Sequence, residues 1–359
     1  MFYTSAWCLT TEDDFESKVP LLLLGQSITN FNSQYRLSVL FLEGFNKLSS
    51  NYKKQLFVRN IDVIDYSTQF SNIVSQYKKI SEYYSHYERN CLLRWVAFHE
   101  YLKKNKCNQF YHIDSDIILH TSLERLANEA AGLTFMTLGC PVFLTISDFN
   151  WFDIYIRELS VLNYDASKYL INNNITIEMC RENDRKKFNI SLFRDPIGSD
   201  QDLLEYLISS NILIQSDYNL ITNREFYYVQ NPLHFSQMSS YLKIAPGEIV
   251  TCDEHGSLSY AGKLIPFTHF QGSFCFRTAK IYLLVRQFSF LNNYLPKILL
   301  PFRISSAGYS VPLISKLLLM LFKNRYRTRS EIIQALMSRD SLGQIELVKL
   351  LNIINKYHP

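Results

Sequence analysis

Residues 109–119 read QFYHIDSDIIL, an apolar run that leads directly into two aspartates and then into a second apolar run. Such a run is typical of a strand buried on both faces. The preceding residues 87–104 have apolar side chains at helical spacing and end among lysines, which favour a helix C-terminus. We therefore predict a helix followed by a buried strand, with Asp114 and Asp116 at the carboxyl end of that strand.

The segments before this unit alternate in the same way. Residues 3–9 and 55–64 have the character of short strands, whereas residues 34–48 show helical apolar spacing. Alternation of this kind predicts an α/β fold, with a mainly parallel central sheet and helices on both of its faces. Ligands of such sheets bind at the carboxyl ends of the strands, where the two aspartates lie.

Length and composition exclude several classes of protein. The chain has 359 residues, of which 47% are hydrophobic, enough for a large α/β domain with a smaller appendage or for two modest domains. The apolar fraction excludes a disordered chain. The seven cysteines form no C-x-x-C pair, which argues against a disulfide scaffold or a zinc finger and favours reduced thiols in the cytoplasm. We find neither a secretory signal nor a membrane span, and expect a cytoplasmic protein that at most lies on a membrane.

Charge is distributed unevenly along the chain. Residues 255–330 contain eleven Lys and Arg and no Asp or Glu, while residues 331–359 are balanced, so residues 1–254 carry a net charge of −7. Within 277–329 the cations alternate with apolar and aromatic groups. This pattern fits either a helical subdomain with a solvated basic face or a surface that attracts anionic lipid head groups. No nucleic-acid-binding motif is present, and no nucleic-acid partner is expected.

The triplet Asp114-Ser115-Asp116 carries the clearest chemistry. In extended backbone, residues i and i+2 point to the same side, so both carboxylates can face one point. Two nearby carboxylates repel each other unless a cation or a proton lies between them. Mg²⁺ and Mn²⁺ favour such oxygen ligands. The plainer alternative, a surface turn, is made less attractive by the buried strand that precedes the triplet.

Two further segments have polar groups in suggestive places. Residues 198–202 read GSDQD and precede a helical pattern, so Ser199 or Asp200 caps a helix, or the segment binds the hydroxyls of a sugar. His269 opens the sequence HFQG after an apolar segment. It is either a structural histidine or a ligand for Mn²⁺, and Gly272 would permit a close approach of backbone to phosphate.

Taken in order, FYHIDSDIIL, GSDQDLLEYL, SDYNLITN and PFTHFQG resemble a GT-A-type glycosyltransferase, similar to the glycogenin and bacterial lipopolysaccharide galactosyltransferase type. The resemblance covers residues 1–275. It implies a Rossmann-like GT-A catalytic domain over 1–275. The composition of the remaining residues predicts a helical, basic and amphipathic C-terminal region over 276–359. The resemblance also implies transfer of a sugar, a hexose in this family, from a nucleotide-diphosphate donor such as a UDP-sugar to a glycan or lipid-linked acceptor.

The resemblance assigns roles residue by residue. It makes Asp114, Asp116 and His269 ligands of Mn²⁺ or Mg²⁺. It places the catalytic residues Asp200, Gln201 and Asp202 beside the donor sugar and the acceptor. The donor itself would be bound by Cys8, Leu9, Thr10, Thr11, Asp65, Arg94, Ser115 and Gly272. The K-P-W that follows H-x-x-G in the family is replaced by GSFCFRTAK, so Arg277 or Lys280 would neutralise the leaving diphosphate.

Several alternatives stay open at the level of sequence. If the reaction inverts the anomeric configuration, Asp200 or Asp202 is the expected base; if it retains it, a diphosphate oxygen takes the proton. A non-catalytic protein that binds a sugar nucleotide or glycan on the same fold would have similar motifs. A nucleotidyltransferase or phosphohydrolase also uses paired aspartates, but residues 1–40 contain no glycine-rich phosphate loop.

Overall fold

The computed structural model describes residues 1–137, 141–164 and 197–216, together with the short segments 251–252, 258–260, 263–269, 304–305 and 308–309. The strands are β1 (Phe2–Trp7), β2 (Leu37–Glu43), β3 (Ile61–Asp65), β4 (Phe110–Ile113), β5 (Ile117–Leu119), β6 (Phe135–Met136), β7 (Phe143–Ile146), β8 (Thr251–Cys252), β9 (Leu258–Tyr260), β10 (Lys263–Ile265), β11 (Phe267–His269), β12 (Ile304–Ser305) and β13 (Gly308–Tyr309). The helices are α1 (Glu12–Lys18), α2 (Leu21–Asn30), α3 (Ser50–Phe57), α4 (Ser67–Gln76), α5 (Lys78–Tyr83), α6 (His86–Lys104), α7 (Leu123–Glu129), α8 (Asn150–Tyr164) and α9 (Asp200–Ser209).

The main sheet has six strands in the order β3-β2-β1-β4-β7-β6. Strands β3, β2, β1 and β4 are parallel, and β7 runs antiparallel to both of its neighbours. The chain is therefore an α/β protein with a mostly parallel mixed sheet, compatible with a Rossmann-like fold. The predicted sheet type is confirmed.

Alternate residues of each central strand enter two separate cores, one on each face of the sheet. Phe2 and Ala6 of β1 belong to the core that contains side chains of α1, α2, α3 and α7. Tyr3, from the same strand, belongs to the core that contains side chains of α4, α5, α6, α8 and α9. Helices thus cover both faces, as the alternation of strands and helices predicted.

The prediction of a helix over residues 34–48 is wrong. Residues 37–43 form β2, which pairs with β1 and β3, and six of its seven residues are buried. A strand buried on both faces is apolar at every position, so its apolar spacing does not distinguish it from a helix. The two-residue period that would identify a strand appears only when one face is polar.

The strand expected over residues 55–64 begins later than predicted. Helix α3 continues to Phe57 after its N-cap Ser49, and β3 starts at Ile61. Asn60 lies between them with a φ of 61°, in the left-handed region that asparagine tolerates better than most residues. By contrast, the helix predicted over 87–104 and the strand predicted in QFYHI are confirmed as α6 and β4.

The carboxyl ends of β1 and β2 approach each other closely. The amide of Cys8 donates a hydrogen bond to the Glu43 carbonyl (2.9 Å), and Gly44 follows with a φ of 72°. A Cβ atom on Gly44 would lie 1.9 Å from the Cys8 carbonyl oxygen. Glycine is therefore required here, because both the backbone conformation and the space exclude a side chain.

Little of the C-terminal region is described. Strands β12 and β13 pair in antiparallel fashion, so these positions of the region predicted to be helical are extended. The domain boundary at 275/276, the remainder of 276–359 and the basic segment 277–329 otherwise lie outside the described residues. None of the helices in the described part of the chain combines the length and apolar character that a membrane crossing requires.

Candidate functional site

A cavity of about 570 Å³ opens at the carboxyl ends of β1 and β4. Four segments that are distant in sequence build its walls: the end of β1 with the residues that follow it, the first half of α6, the turn between β4 and β5, and the N-terminus of α9. Parallel α/β sheets bind ligands at this edge because the strands end there and the loops diverge. The cavity is of the size that holds a small-molecule ligand.

One face of α6 forms a wall of the cavity. Tyr87, Cys91 and Arg94 line it and lie at positions i, i+4 and i+7, which fall on one side of a helix. The Tyr87 side chain is exposed, and its ring meets Trp7 of β1 edge to face, with 5.6 Å between the ring centroids. Burial and the nearby Asp200 raise the pKa of the Cys91 thiol, so Cys91 is neutral, while Glu88 and Arg94 bring charge to this wall.

The turn after β4 brings both predicted aspartates to the cavity. Asp114, Ser115 and Asp116 all line it. The Asp114 amide donates to the Val142 carbonyl (2.8 Å), which anchors the turn to the residue before β7. Asp114 Oδ1 accepts hydrogen bonds from Arg94 Nη1 (3.0 Å) and His112 Nε2 (3.1 Å).

Arg94 also connects this turn to α9. Its Nε and Nη2 lie 2.9 and 2.7 Å from Asp200 Oδ2, which additionally accepts from Trp95 Nε1 (3.0 Å). Arg94 and Asp200 are both buried. Burial lowers the pKa of Arg94, but the carboxylates of Asp200 and Asp114 outweigh it and raise that pKa well above the usual value. The guanidinium is therefore a permanent cation between two carboxylates.

Asp202 is committed to the start of α9. Its Oδ2 accepts from the Gly198 amide (2.9 Å) and from Ser199 Oγ (3.0 Å). Ser199 is the N-cap, and its hydroxyl accepts from the Asp202 amide. This reciprocal arrangement is a variant of the capping box, with the amide of Gly198 in place of that of the N-cap residue, and it stabilises the helix start. The predicted cap at Ser199 is thus confirmed, and Asp202 and Gln201 also line the cavity.

The cavity is strongly acidic. Six carboxylates and one guanidinium line it, the acidic residues being Asp14, Glu88, Asp114, Asp116, Asp200 and Asp202. Carboxylates therefore outnumber basic side chains among these lining residues. Like charges held close together repel, so a cation in the cavity would be stabilised, and an anionic ligand would need an accompanying cation.

The donor atoms fit a hard divalent cation, although the described side chains supply only part of a ligand set. Asp114 and Asp116 offer the carboxylate oxygens that Mg²⁺ and Mn²⁺ favour. Among the described side chains, no three of His, Cys, Asp and Glu form a group that could hold a metal ion. The backbone of His269 pairs with Ile117, directly after Asp116, but its side chain lies outside what the structure describes.

Other predicted residues have different positions. Leu9 and Thr10 line the cavity, whereas Cys8, Thr11 and Asp65 are not among its lining residues. The Cys8 thiol is buried, Thr11 accepts from the Asp14 amide as the N-cap of α1, and Asp65 accepts from the Ser67 amide (3.1 Å). These three have structural contacts and are not part of the cavity wall. Gly272, Arg277 and Lys280 lie outside the described residues.

The sequence matches no protein-family model and no curated protein. The assignment of function therefore depends on the cavity itself. Sequence reasoning had missed several of its neighbours: Trp7, Asp14, Tyr87, Glu88, Cys91 and the buried His112. Helical spacing from Arg94 would have indicated Tyr87 and Cys91, because positions i−3 and i−7 share its face. Nothing in the sequence distinguished His112 from a core residue.

Proposed function

We propose that this protein is a metal-dependent glycosyltransferase with a GT-A-type fold, which transfers a sugar from a nucleotide-diphosphate donor, a UDP-sugar by resemblance, to a glycan or lipid-linked acceptor. One observation carries the proposal. Asp114, Asp116 and Asp200, which the resemblance singled out from separate segments, line one cavity, and Arg94 contacts Asp114 and Asp200 directly. The cavity lies at the ligand-binding edge of a mostly parallel sheet.

The acidity of the cavity favours a cation-dependent ligand. A diphosphate would be repelled by the six carboxylates unless its charge were neutralised. Asp114 and Asp116 would hold Mn²⁺ or Mg²⁺, with His269 as the third ligand that the resemblance implies. When bound, such an ion supplies Lewis-acid stabilisation of the charge that develops on the departing diphosphate.

The chain's own residues would orient the donor. Sugar transfer breaks the bond between the anomeric carbon and a diphosphate oxygen, forms a bond to the acceptor oxygen and releases the acceptor's proton. Asp200 is buried and held by Arg94 and Trp95, so its carboxylate is suited to orienting donor hydroxyls. Asp202 Oδ2 already accepts two hydrogen bonds within the cap, which leaves Asp202 less suited to take the proton.

A screen for donor hydrolysis tests the proposal. Purified protein is incubated with a panel of sugar nucleotides, with and without Mn²⁺, and release of free sugar is measured. We expect turnover of one donor only when metal is present. Asp116→Asn should lower that turnover at least about 100-fold, because each lost 1.4 kcal/mol of barrier stabilisation is about tenfold in rate.

A matched control makes this test specific. Asp13 is exposed on α1 and is not among the residues that line the cavity, so Asp13→Asn makes the same chemical change away from the site and should leave turnover unchanged. Binding of a sugar nucleotide without hydrolysis or transfer would instead favour a non-catalytic binder. Metal-dependent release of phosphate from the whole panel would favour a phosphohydrolase.

We further propose that the basic segment 277–329 brings the enzyme to an anionic membrane surface. The proposal rests on the sequence, in which cations alternate with apolar groups, each cation contributing about 1 kcal/mol near such a surface. Sedimentation with phosphatidylglycerol vesicles tests it in the full chain. Replacing Lys316, Lys323 and Arg325 together by Gln should reduce binding at least about tenfold, and equal binding would refute it.

A further inference from the structure

His112 occupies an unusual position for an imidazole. It lies in β4 and is fully buried, with its ring 5.0 Å from the ring of Trp95 and 5.5 Å from that of Phe98, centroid to centroid. Its strand neighbour on the same face, Phe110, belongs to the same core. An apolar side chain would suit these surroundings as well as or better than a histidine.

The two ring nitrogens differ sharply in their contacts. Nε2 lies 3.1 Å from Asp114 Oδ1, and because a carboxylate accepts, Nε2 carries the proton in this contact. Nδ1 is buried with no hydrogen-bond partner among the described residues. A buried polar atom without a partner costs stability, because it has lost its contact with water. The imidazole therefore has one evident purpose here, the contact to Asp114.

This contact gives Asp114 Oδ1 a second donor beside Arg94. Arg94 Nη1 donates to the same Oδ1 atom, but Arg94 also donates twice to Asp200 on α9. His112 lies two residues before Asp114 in the same strand and packs against the rigid aromatic core. It therefore approaches Oδ1 from the sheet, while Arg94 approaches from α6.

We propose that His112 is a positioning residue for the cation site, donating from Nε2 to Asp114 Oδ1 and thereby fixing the orientation of that carboxylate at the cavity. The inference rests on the proposed function, because it assigns Asp114 to a divalent cation. Groups that orient metal-binding carboxylates or imidazoles typically change metal affinity 10- to 100-fold when they are removed. His112 does not contact the substrate in this scheme.

Two substitutions separate positioning from packing. His112→Met removes both nitrogens and keeps an adaptable apolar side chain, whereas His112→Gln keeps an amide N–H at about the reach of Nε2. Mn²⁺ binding is followed by the EPR signal of the free ion, in titrations without nucleotide and with UDP. We expect His112→Met to bind Mn²⁺ about 10- to 100-fold more weakly and His112→Gln to bind within about threefold of wild type.

Thermal unfolding of the same variants is a second measurement, in which His112→Met is expected to lose no stability although it loses Mn²⁺ affinity. His112→Met removes the unpartnered Nδ1, so we expect it to unfold at or above the wild-type temperature while binding Mn²⁺ more weakly. Phe152→Leu serves as the control: Phe152 is in the same core without a ring contact to His112, so the cavity lowers the unfolding temperature but should leave Mn²⁺ affinity unchanged.

The outcomes distinguish this inference from the proposed function. Wild-type protein that binds no Mn²⁺ under either condition overturns both. Wild-type binding with equal affinity in His112→Met overturns the inference alone and leaves the cation site intact. Weak Mn²⁺ binding in His112→Met and in Phe152→Leu alike also overturns it, since core packing would then explain the loss.

Discussion

Replacing Arg94 by Met removes the cation that lies between two carboxylates at the candidate site. Arg94 and Asp200 are buried, and the Asp114 side chain is 16% exposed. Methionine matches arginine in length as far as Nε, so the packing of the aliphatic part is kept, while the rest of the guanidinium, its charge and all N–H donors are lost. The experiment therefore measures what the charge and hydrogen bonds of the guanidinium contribute to the fold.

The contacts allow the size of the effect to be judged. Arg94 donates from Nε and Nη2 to Asp200 Oδ2 and from Nη1 to Asp114 Oδ1, at 2.7 to 3.0 Å. Removing one partner of a buried ion pair costs about 3–5 kcal/mol, because the remaining charge is left uncompensated. Trp95 Nε1 still donates to Asp200 after the substitution, so we expect a loss of about 4 kcal/mol in the free energy of unfolding.

Urea unfolding followed by tryptophan fluorescence measures this loss close to the site. The rings of Trp95 and Trp151 have centroids 5.8 Å apart in the core beside Asp200, so their emission reports on this region. Arg157→Met is the matched control. The Arg157 side chain is 64% exposed, so water screens its pair with the buried Glu158, and the loss should be well below that of Arg94→Met.

A second variant tests the cause of the loss. Adding Asp200→Asn to Arg94→Met removes one of the uncompensated charges while keeping an acceptor for Trp95 Nε1. We expect the double variant to be more stable than Arg94→Met by about 1–2 kcal/mol. A loss below about 1 kcal/mol in Arg94→Met, or a double variant less stable than the single one, would refute the electrostatic reasoning.

Three further substitutions probe the framework around the site. Burial raises the pKa of Glu124, but backbone amides of residues 34, 35 and 124 and the Ser33 hydroxyl outweigh it and hold the pKa below 4.5. The stabilisation by the Glu124 carboxylate is thus present above pH 4.5 and lost as the pH falls through the folded-state pKa. The difference in unfolding free energy between wild type and Glu124→Gln should therefore shrink from pH 7 to pH 3. An equal difference at the two pH values contradicts this. Tyr52 donates to the buried Glu16, and Tyr52→Phe should cost about 1–3 kcal/mol in urea unfolding, whereas no loss would mean that Glu16 finds another donor. Gly44→Ala should cost about 2 kcal/mol or more, because φ is 72° and the new methyl group would overlap the Cys8 carbonyl; wild-type stability would show that the β1 end moves freely.

The sequence was most informative about the long helix α6, whose apolar positions repeat, and about the polar residues that interrupt the apolar run after it. Helix α6 could be predicted because it spans many turns and its apolar positions repeat. Asp114 and Asp116 could be predicted because two aspartates at positions i and i+2 after a buried strand bring like charges together, which a simple turn does not require. Strand β2 could not be recognised, since burial on both faces removes the alternation that identifies a strand.

The contacts within the site could not be predicted from the sequence, for a different reason. That Arg94 donates to Asp114 and Asp200, and that His112 points its Nε2 at Asp114, depends on how α6 and α9 pack on the sheet. Local sequence patterns contain no information on such pairings between distant segments. In the sequence, a histidine within an apolar strand that hydrogen-bonds a neighbouring carboxylate cannot be distinguished from one that only packs in the core.

The ion pair between Arg94 and Asp200 also affects how the protein folds during translation. The two residues are 106 positions apart in the chain, so during translation α6 emerges from the ribosome well before its partner helix. Until α9 docks, half of the ion-pair network is missing, and pairings of such high contact order form late. In nascent chains halted before residue 200, the cavity should therefore lack the wall that α9 supplies. A ligand that contacts both α6 and α9 would favour the docking of α9, because it binds only the docked state.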